Sequence, residues 1–188
     1  MPELLIHFII PFFLLSLYGY SIQKAAIFSS FAIIPDFDVF FHYHPAPLHS
    51  FVVLLSISVI LLTSTYAYFR NDRWCCYIVL ISAILLSHPF LDMFNSYIPV
   101  LYPLWHCSIN IDCDLLVNIN NLRDFSFNFA INKLAYTAPS PITTDFYAGI
   151  FTSSGVVVSL LLLAGIALIK RNEKNNYSDS NTQRREND

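Results

Sequence analysis

Apolar residues in this chain fall into long runs rather than into the mixed pattern of a water-soluble domain. Residues 51–69 and 146–169 contain no charged side chain, and each run approaches or exceeds the roughly 20 residues that a helix needs to cross a bilayer. Residues 4–20 and 74–91 are equally apolar, but each carries one histidine. Residues 25–35 form a shorter run that suits a tilted or re-entrant helix as well as a crossing one.

This pattern predicts an all-α fold, a polytopic membrane helical bundle of four or five spans with a small extramembrane loop cap. Residues 1–94 are expected to form the membrane helices that carry a metal site, residues 95–145 the cap loop, and residues 146–169 the last transmembrane helix. Within the cap, phenylalanine alternates with polar residues over 125–129, a pattern that favours short strands. Residues 170–188 are polar and low in complexity, so we expect a disordered tail.

Composition and charge agree with a membrane location. Hydrophobic residues make up 55% of the chain and charged residues 12%, whereas charged residues make up about 25% of an ordinary soluble domain. The net charge of −3 offers no field that would attract nucleic acid, so we expect none as a partner. The expected partner is the lipid bilayer.

The distribution of basic residues predicts an orientation. If all five runs cross, one side of the membrane holds most of the lysines and arginines near span ends, namely Lys24, Arg70, Arg73, Lys170, Arg171 and Lys174. By the positive-inside rule this side is the cytoplasm, so the predicted localisation is the cell membrane, multi-pass, with a cytoplasmic C-terminus. If residues 25–35 are re-entrant instead, the chain has four spans and the first one is inverted.

Two cysteines of the cap, Cys107 and Cys113, leave two alternatives open. They form a disulfide if the cap faces an oxidising compartment, or they are two free thiols. The spacing is not the CxxC of a zinc or thioredoxin site.

With five spans, ionisable side chains from distant parts of the chain lie near one end of the bundle. They are His7, Asp36, Asp38, His42, His44, His49, His88, Asp92 and His106. Such groups are costly to desolvate in or beside a bilayer, so they are usually paired, solvated or bound to a metal. The clustering therefore predicts a shared polar site.

His88 and Asp92 are the strongest pair in this set. Their i, i+4 spacing places both side chains on one helix face, at a separation that one metal ion can bridge. Pro89 lies between them, and we expect it to favour a kink at His88. The alternative is a capping aspartate beside a histidine that is hydrogen-bonded to a carbonyl.

The other candidates lie further toward the N-terminus. Asp36 and Asp38 are close carboxylates, which repel unless a cation or a proton lies between them, although solvated aspartates in a turn are the alternative. His44 and His49 belong to a histidine-rich stretch, a composition typical of metal binding. His7 lies one turn inside the first run, where it is either a ligand or hydrogen-bonded to a neighbouring helix. We interpret the remaining two histidines, His42 and His106, as surface residues.

Two segments, AIIPDFDVFFHYHPAPLHS and LLSHPFLDMFNSYIPVLYPLW, resemble the YdjM-like family of inner-membrane-associated metal-dependent hydrolases. The early histidine of that family corresponds to His7, and its PDxD motif corresponds to residues 35–38. Its histidine pair corresponds to His44 and His49, and its HxxLD motif to residues 88–92. The chain departs from the family in lacking the Arg-Gly that follows the first histidine of the pair. The resemblance covers roughly residues 1–105.

The resemblance implies a membrane-embedded hydrolase with one or two divalent metal ions. The implied metal ligands are His7, Asp36, Asp38, His49, His88 and Asp92, and the implied catalytic residues are His44, His49 and Asp92. The mixture of nitrogen and oxygen ligands favours zinc. An opening at the membrane surface suits a lipid-like ester or phosphoester as substrate. The alternative is a non-enzymatic integral membrane protein, either a metal-binding transporter or a scaffold subunit.

Overall fold

A computed structural model of the protein describes residues 4–41, 47–118, 121–136 and 153–186. Within these ranges, side chains are described except at positions 38–41, 115–118, 121–125, 153–154 and 172–186.

The described part of the chain is mostly helical. The helices are α1 (Leu4–Leu17), α2 (Ile22–Ser30), α3 (Phe51–Phe69), α4 (Asp72–Asp92) and α5 (Ser153–Glu186). Two 3₁₀ segments, Phe31–Phe41 and Pro47–His49, connect α2 to α3 on either side of residues that lie outside the described part. Strands β1 (Cys107–Asn118) and β2 (Asn121–Ala135) lie between α4 and α5.

Helices α3 and α4 form an antiparallel helical hairpin with a short turn. Arg70 ends α3 in the left-handed region with φ 47°, and its backbone N–H donates to the carbonyl of Tyr66. Asn71 caps α4 by accepting a hydrogen bond from the backbone N–H of Arg73 at 2.9 Å. The turn places the C-terminal end of α4 beside the N-terminal end of α3. His88 and Asp92 lie at this end of α4, and His49 lies just before α3.

The small core lies around α1. Ile9, Phe12 and Leu15 of α1 are buried together with Ile84 of α4 and Ile166 of α5. Ala25 of α2 and Ala32 of the first 3₁₀ segment have no exposed surface and complete the cluster. Packing on α1 therefore brings α4 and the first 3₁₀ segment together.

The prediction of four or five spans is wrong. Among the described residues, α3 and α4 are the two helices that are long and apolar enough to cross a membrane. Helix α1 has 14 residues, and at 1.5 Å per residue its length of about 21 Å is short of the roughly 30 Å hydrocarbon core. Residues 25–35 are divided between α2 and a 3₁₀ segment, so they are not one crossing helix. Of the last predicted span, residues 146–152 lie outside the described part.

The all-α fold class is also wrong, because the chain contains a β-hairpin. Strands β1 and β2 pair antiparallel, with Cys113 opposite Phe129 and Ile111 opposite Ile131. The strand expected over 125–129 lies within β2. These residues form paired strands rather than a helix because their apolar side chains alternate with the period of a strand. The alternation gives the hairpin one apolar face.

The hairpin also decides between the two cysteine alternatives. Cys107 and Cys113 both belong to β1, where the rise of about 3.4 Å per residue separates them by about 20 Å. A disulfide requires Cα atoms within about 7 Å. Both thiols are free, as the second alternative predicted.

The division into membrane helices, cap and tail stays a prediction. Helix α5 continues to Glu186, beyond Lys170, where the disordered tail is predicted to begin.

Candidate metal centre

Four buried side chains from three separate segments meet at one point. Asp36 comes from the first 3₁₀ segment, His49 from the second, and His88 and Asp92 from the last turns of α4. The two histidines and Asp92 have no exposed surface, and Asp36 is 7% exposed. One ligand atom from each residue lies within 4.8 Å of the other three, so the group can hold a metal ion.

The Nε2 atom of His88 lies close to a ligand atom of each of the other three residues. It is 3.3 Å from Oδ2 of Asp92 and 3.4 Å from Oδ1 of Asp36. It is also 3.3 Å from Nε2 of His49. The His49 nitrogen is in turn 3.4 Å from the Asp92 oxygen and 3.6 Å from the Asp36 oxygen.

The five separations given above are close to the edges of a coordination tetrahedron. With metal–ligand bonds of about 2.0–2.1 Å, the ligand atoms of a regular tetrahedron lie about 3.3–3.4 Å apart. Five of the six separations span 3.3 to 3.6 Å, and the sixth, between the carboxylates of Asp36 and Asp92, is at most 4.8 Å. The donor set also fits a divalent cation, because two ionised carboxylates and two neutral imidazoles carry a charge of −2.

The orientation of His88 is set from outside the cluster. Its Nδ1 atom donates a hydrogen bond to the backbone carbonyl of Ala32 at 2.7 Å. Because a carbonyl oxygen can only accept, Nδ1 carries a hydrogen. With a metal bound, the ring would be neutral and its Nε2 would present a lone pair to the cluster, whereas without a metal a second proton on Nε2 lets His88 donate to the carboxylates. The nearest ligand atoms of Asp36, Asp92 and His49 lie around the same point. Two buried carboxylates this close repel each other unless a metal ion or a proton lies among them.

Pro35 explains why the Ala32 carbonyl is free to accept. In a 3₁₀ helix the carbonyl of residue i accepts from the N–H of residue i+3, which for Ala32 is residue 35. Proline has no N–H, so the carbonyl has no donor of this kind and takes the imidazole instead. The contact of Ala32 with His88 is not among the features predicted from the sequence, and the signal that points to it is a proline three positions later, immediately before the aspartate ligand.

His7 lies beside the four-residue group rather than in it. Its Nε2 atom is 2.8 Å from Oδ1 of Asp92, the carboxylate oxygen that does not face His49 and His88. Its ring stacks on that of His88 with centroids 4.0 Å apart. His7 is 1% exposed, so these contacts hold both neighbours in place. Its predicted role as a ligand stays a prediction.

Asp36 remains ionised in this environment. Burial alone raises the pKa of its carboxyl, but hydrogen bonds from His49 and His88 lower it, and the positive charge of His88 adds to the lowering. The net effect holds the pKa of Asp36 well below its usual range. Its second oxygen, Oδ2, is buried without a hydrogen-bond partner among the described residues.

The i, i+4 prediction for α4 is confirmed geometrically, whereas the kink at His88 stays a prediction. His88 and Asp92 face the same point, and α4 continues through Pro89 without interruption. The alternative reading is also partly correct, because His88 does bond a carbonyl through its other nitrogen. Ser50, next to His49, donates to the carbonyls of Val100 and Tyr102 and so anchors the loop after α4.

The remaining sequence candidates fall outside the cluster or outside the described part. The backbone of Asp38 belongs to the first 3₁₀ segment, but its side chain lies outside the described part, and so do His42 and His44. His106 is exposed and packs edge-on against the ring of Tyr102 with centroids 5.8 Å apart, so it is a surface residue as predicted.

Comparison with known proteins adds no family. No model of a known protein family matches this chain, and no curated protein or solved structure matches it. What is established is a mostly helical chain with a β-hairpin, two helices that are able to cross a membrane, and a buried Asp/His group that is able to hold a metal ion.

Proposed function

We propose that this protein is a membrane-embedded hydrolase that uses one divalent metal ion. The proposed ligands are Asp36, His49, His88 and Asp92. The observation that carries the proposal is the close spacing of their four ligand atoms in a buried position, with five of the six separations between 3.3 and 3.6 Å and none above 4.8 Å. The resemblance to the YdjM-like hydrolases supports hydrolysis as the reaction, as an analogy between motifs.

Zinc is the proposed metal. Imidazole nitrogen together with carboxylate oxygen in four-coordinate geometry suits Zn²⁺, whereas Ca²⁺ and Mg²⁺ prefer six or more oxygen ligands. The geometry supports a single ion, because His7 lies outside the tetrahedron and contacts Asp92 from behind.

The residues around the centre have separate proposed roles. A divalent ion supplies Lewis-acid chemistry for the hydrolysis of an ester or phosphoester. His49 and Asp92 hold the ion, and His7 orients Asp92 through its outer oxygen. The buried Oδ2 of Asp36 is the proposed acceptor of the proton that the attacking water loses. His44, five residues before His49, is the proposed proton donor to the leaving oxygen.

The proposed substrate is a lipid-like ester or phosphoester. Its support is the position of the cluster, which joins the last turns of α4 to His49, two residues before α3, at one end of both candidate spans. Phe37 follows Asp36 and is 50% exposed, so an apolar side chain flanks the cluster on its outer side. A transporter site would be expected at mid-bilayer between broken helices, not at the span ends.

Location and orientation belong to the same proposal. We place the protein in the cell membrane with a cytoplasmic C-terminus, which requires that the run 146–169 crosses the membrane in addition to α3 and α4. The turn between α3 and α4 carries Arg70 and Arg73 and lies at the opposite end of these helices from the cluster, so the positive-inside rule places the cluster on the outer side.

The test combines metal analysis with an activity assay. The full chain, purified in detergent without chelator, is expected to contain about one zinc per chain by elemental analysis. Reconstituted in phosphatidylcholine vesicles, it is expected to release phosphate ester or fatty acid products, and to stop when the zinc is removed with a chelator. His49→Ala and Asp92→Ala are expected to lose metal and activity together, whereas His106→Ala retains both.

A specific observation favours a second candidate, a structural metal centre. Four protein side chains are able to ligate one ion and would fill all four positions of a tetrahedral site. Closed sites of this kind are typical of structural zinc, whereas catalytic sites keep one position open. Stoichiometric zinc whose removal lowers thermal stability, in a protein that hydrolyses neither carboxylic nor phosphoric esters of lipids, would establish this candidate and end the hydrolase proposal. Absence of metal from the intact protein would end both.

A further inference from the structure

The β-hairpin has one apolar face. Side chains directly opposite each other in an antiparallel pair lie on the same face, and so do every second residue along each strand. Phe127, Phe129 and Ile131 therefore share a face with Ile111 and Cys113 of β1. At the hairpin base the same face continues to Ile109 and the opposite Lys133, its one charged side chain among the described residues.

The other face of the hairpin is polar. Asp112 lies opposite Ala130, and Asp114 lies opposite Asn128. Asn132 donates from its side-chain Nδ2 to Oδ2 of Asp112 at 2.5 Å, which confirms that these residues share a face. The hairpin is thus an amphipathic ribbon with an acidic outer side.

Nothing in the described part of the chain covers the apolar face. Phe127 is 61% exposed, Phe129 58% and Ile131 54%. A two-stranded hairpin without a packing partner is only marginally stable in water. A row of exposed phenylalanine and isoleucine side chains therefore indicates a partner that accepts apolar groups.

The hairpin leaves the helical part at the end of a candidate span. The backbone N–H of Ile111 donates to the carbonyl of Met93, the residue after α4, at 2.7 Å. At the hairpin base, the ammonium of Lys133 lies 5.6 Å from the centre of the Trp105 ring. Trp105 is itself 42% exposed. Tryptophan and lysine together are typical of the membrane–water interface, where the ring and the ammonium lie at the headgroups.

We propose that the hairpin lies on the bilayer surface, with Phe127, Phe129 and Ile131 inserted among the lipid headgroups and upper acyl chains. The acidic face with Asp112 and Asp114 then points to water. The proposal rests on the proposed membrane location of α3 and α4, and it does not depend on the metal centre or on hydrolysis. Its consequence is that the ribbon attached next to the metal ligands of α4 contacts lipid directly.

Cys113 on the apolar face makes the proposal testable by depth-dependent quenching. In the full chain, Cys75→Ser, Cys76→Ser and Cys107→Ser leave Cys113 as the single thiol, which is labelled with an environment-sensitive fluorophore. The matched control adds Cys113→Ser and Asp114→Cys, so that the neighbouring position on the polar face carries the label. Both proteins are reconstituted in phosphatidylcholine vesicles and quenched with acyl-chain nitroxide lipid or with aqueous iodide.

The Cys113 label is expected to be quenched several-fold more by the nitroxide lipid than the position 114 label, and several-fold less by iodide. Phe129→Asp is expected to reduce this difference and Phe129→Leu to retain it. Equal quenching of both labels by iodide would overturn the proposal. Protection of Cys113 that is already present in detergent and increases with protein concentration would identify a second copy of the chain as the cover instead, and would also overturn it. Flotation of the protein with the vesicles is measured separately, and its failure would overturn the membrane location itself.

Discussion

The ring of His88 is held by the backbone of Ala32, whose carbonyl oxygen lies 2.7 Å from Nδ1 of the imidazole. This contact joins two residues that are 56 positions apart and determines which nitrogen of His88 faces the other three candidate ligands. Histidine ligands of metal sites commonly donate their second ring N–H in this way, which fixes the tautomer and the ring plane. The geometry around Ala32 leads to the first prediction.

Pro35→Ala is expected to weaken metal binding without removing a ligand. Alanine at position 35 supplies a backbone N–H that competes with His88 for the Ala32 carbonyl. Loss of such an orienting contact typically costs about 10- to 100-fold in metal affinity. Competition titration with a coloured zinc chelator measures this change. Pro11→Ala, which restores an N–H inside α1 instead, is the control, and unchanged affinity in Pro35→Ala would refute the orienting role.

The second prediction separates a ligand from a supporting residue at His7. His49→Ala is expected to abolish stoichiometric zinc, whereas His7→Ala is expected to retain it at saturating metal with an affinity lower by about 10- to 100-fold. The reason is that His7 contacts Asp92 through the oxygen that faces away from the cluster. The same chelator titration measures both variants. Complete loss of zinc from His7→Ala would show instead that His7 is a ligand, as the sequence pattern suggested.

Zinc is expected to stabilise the folded protein by mass action. A ligand that binds only the folded state adds about 2.7 kcal/mol when its free concentration is 100 times its dissociation constant. Thermal unfolding in detergent, followed by circular dichroism with buffered zinc and with chelator, measures the shift. Asp92→Ala is expected to unfold at the same temperature in both conditions. A wild-type transition that does not respond to zinc would contradict the metal centre.

The fourth prediction concerns acid stability of the zinc-free protein. The pKa of Asp36 is lower in the folded chain than in the unfolded chain. The ionised carboxylate therefore stabilises the fold fully above the unfolded pKa of about 4, and this contribution is lost as the pH falls below that value. Asp36→Asn should unfold at a temperature that depends less on pH below about 4, measured in chelator. An unfolding temperature that depends more steeply on pH in Asp36→Asn than in the wild type would contradict this prediction.

Local patterns predicted the features that depend on neighbours along the chain. The uncharged run 51–69 coincides with α3, because a run of this length is satisfied as a single helix. His88 and Asp92 face the same point, because their spacing of four residues is a property of any helix. Residues 125–129 lie in strand β2 because the alternation of apolar and polar side chains is likewise a local pattern, with the period of a strand. The same alternation argues against an all-α fold.

Patterns failed where one residue changed the type of helix. The run 25–35 looks continuous in hydrophobicity, but α2 ends at Ser30 and the chain continues as a 3₁₀ segment that contains Pro35. Hydropathy counts apolar side chains and does not register a missing N–H. The number of spans was overestimated for this reason and because α1 is shorter than its apolar run.

The sequence by itself determined the residue types of the candidate centre and the spacing within α4, since both are local. Only the tertiary structure decided that Asp36 and His49 meet His88, that His7 stands behind Asp92, and that Ala32 holds the imidazole. These contacts cross 39 to 85 positions of chain, so they depend on how α1, α4 and the 3₁₀ segments pack around one core, which no periodicity along the chain encodes.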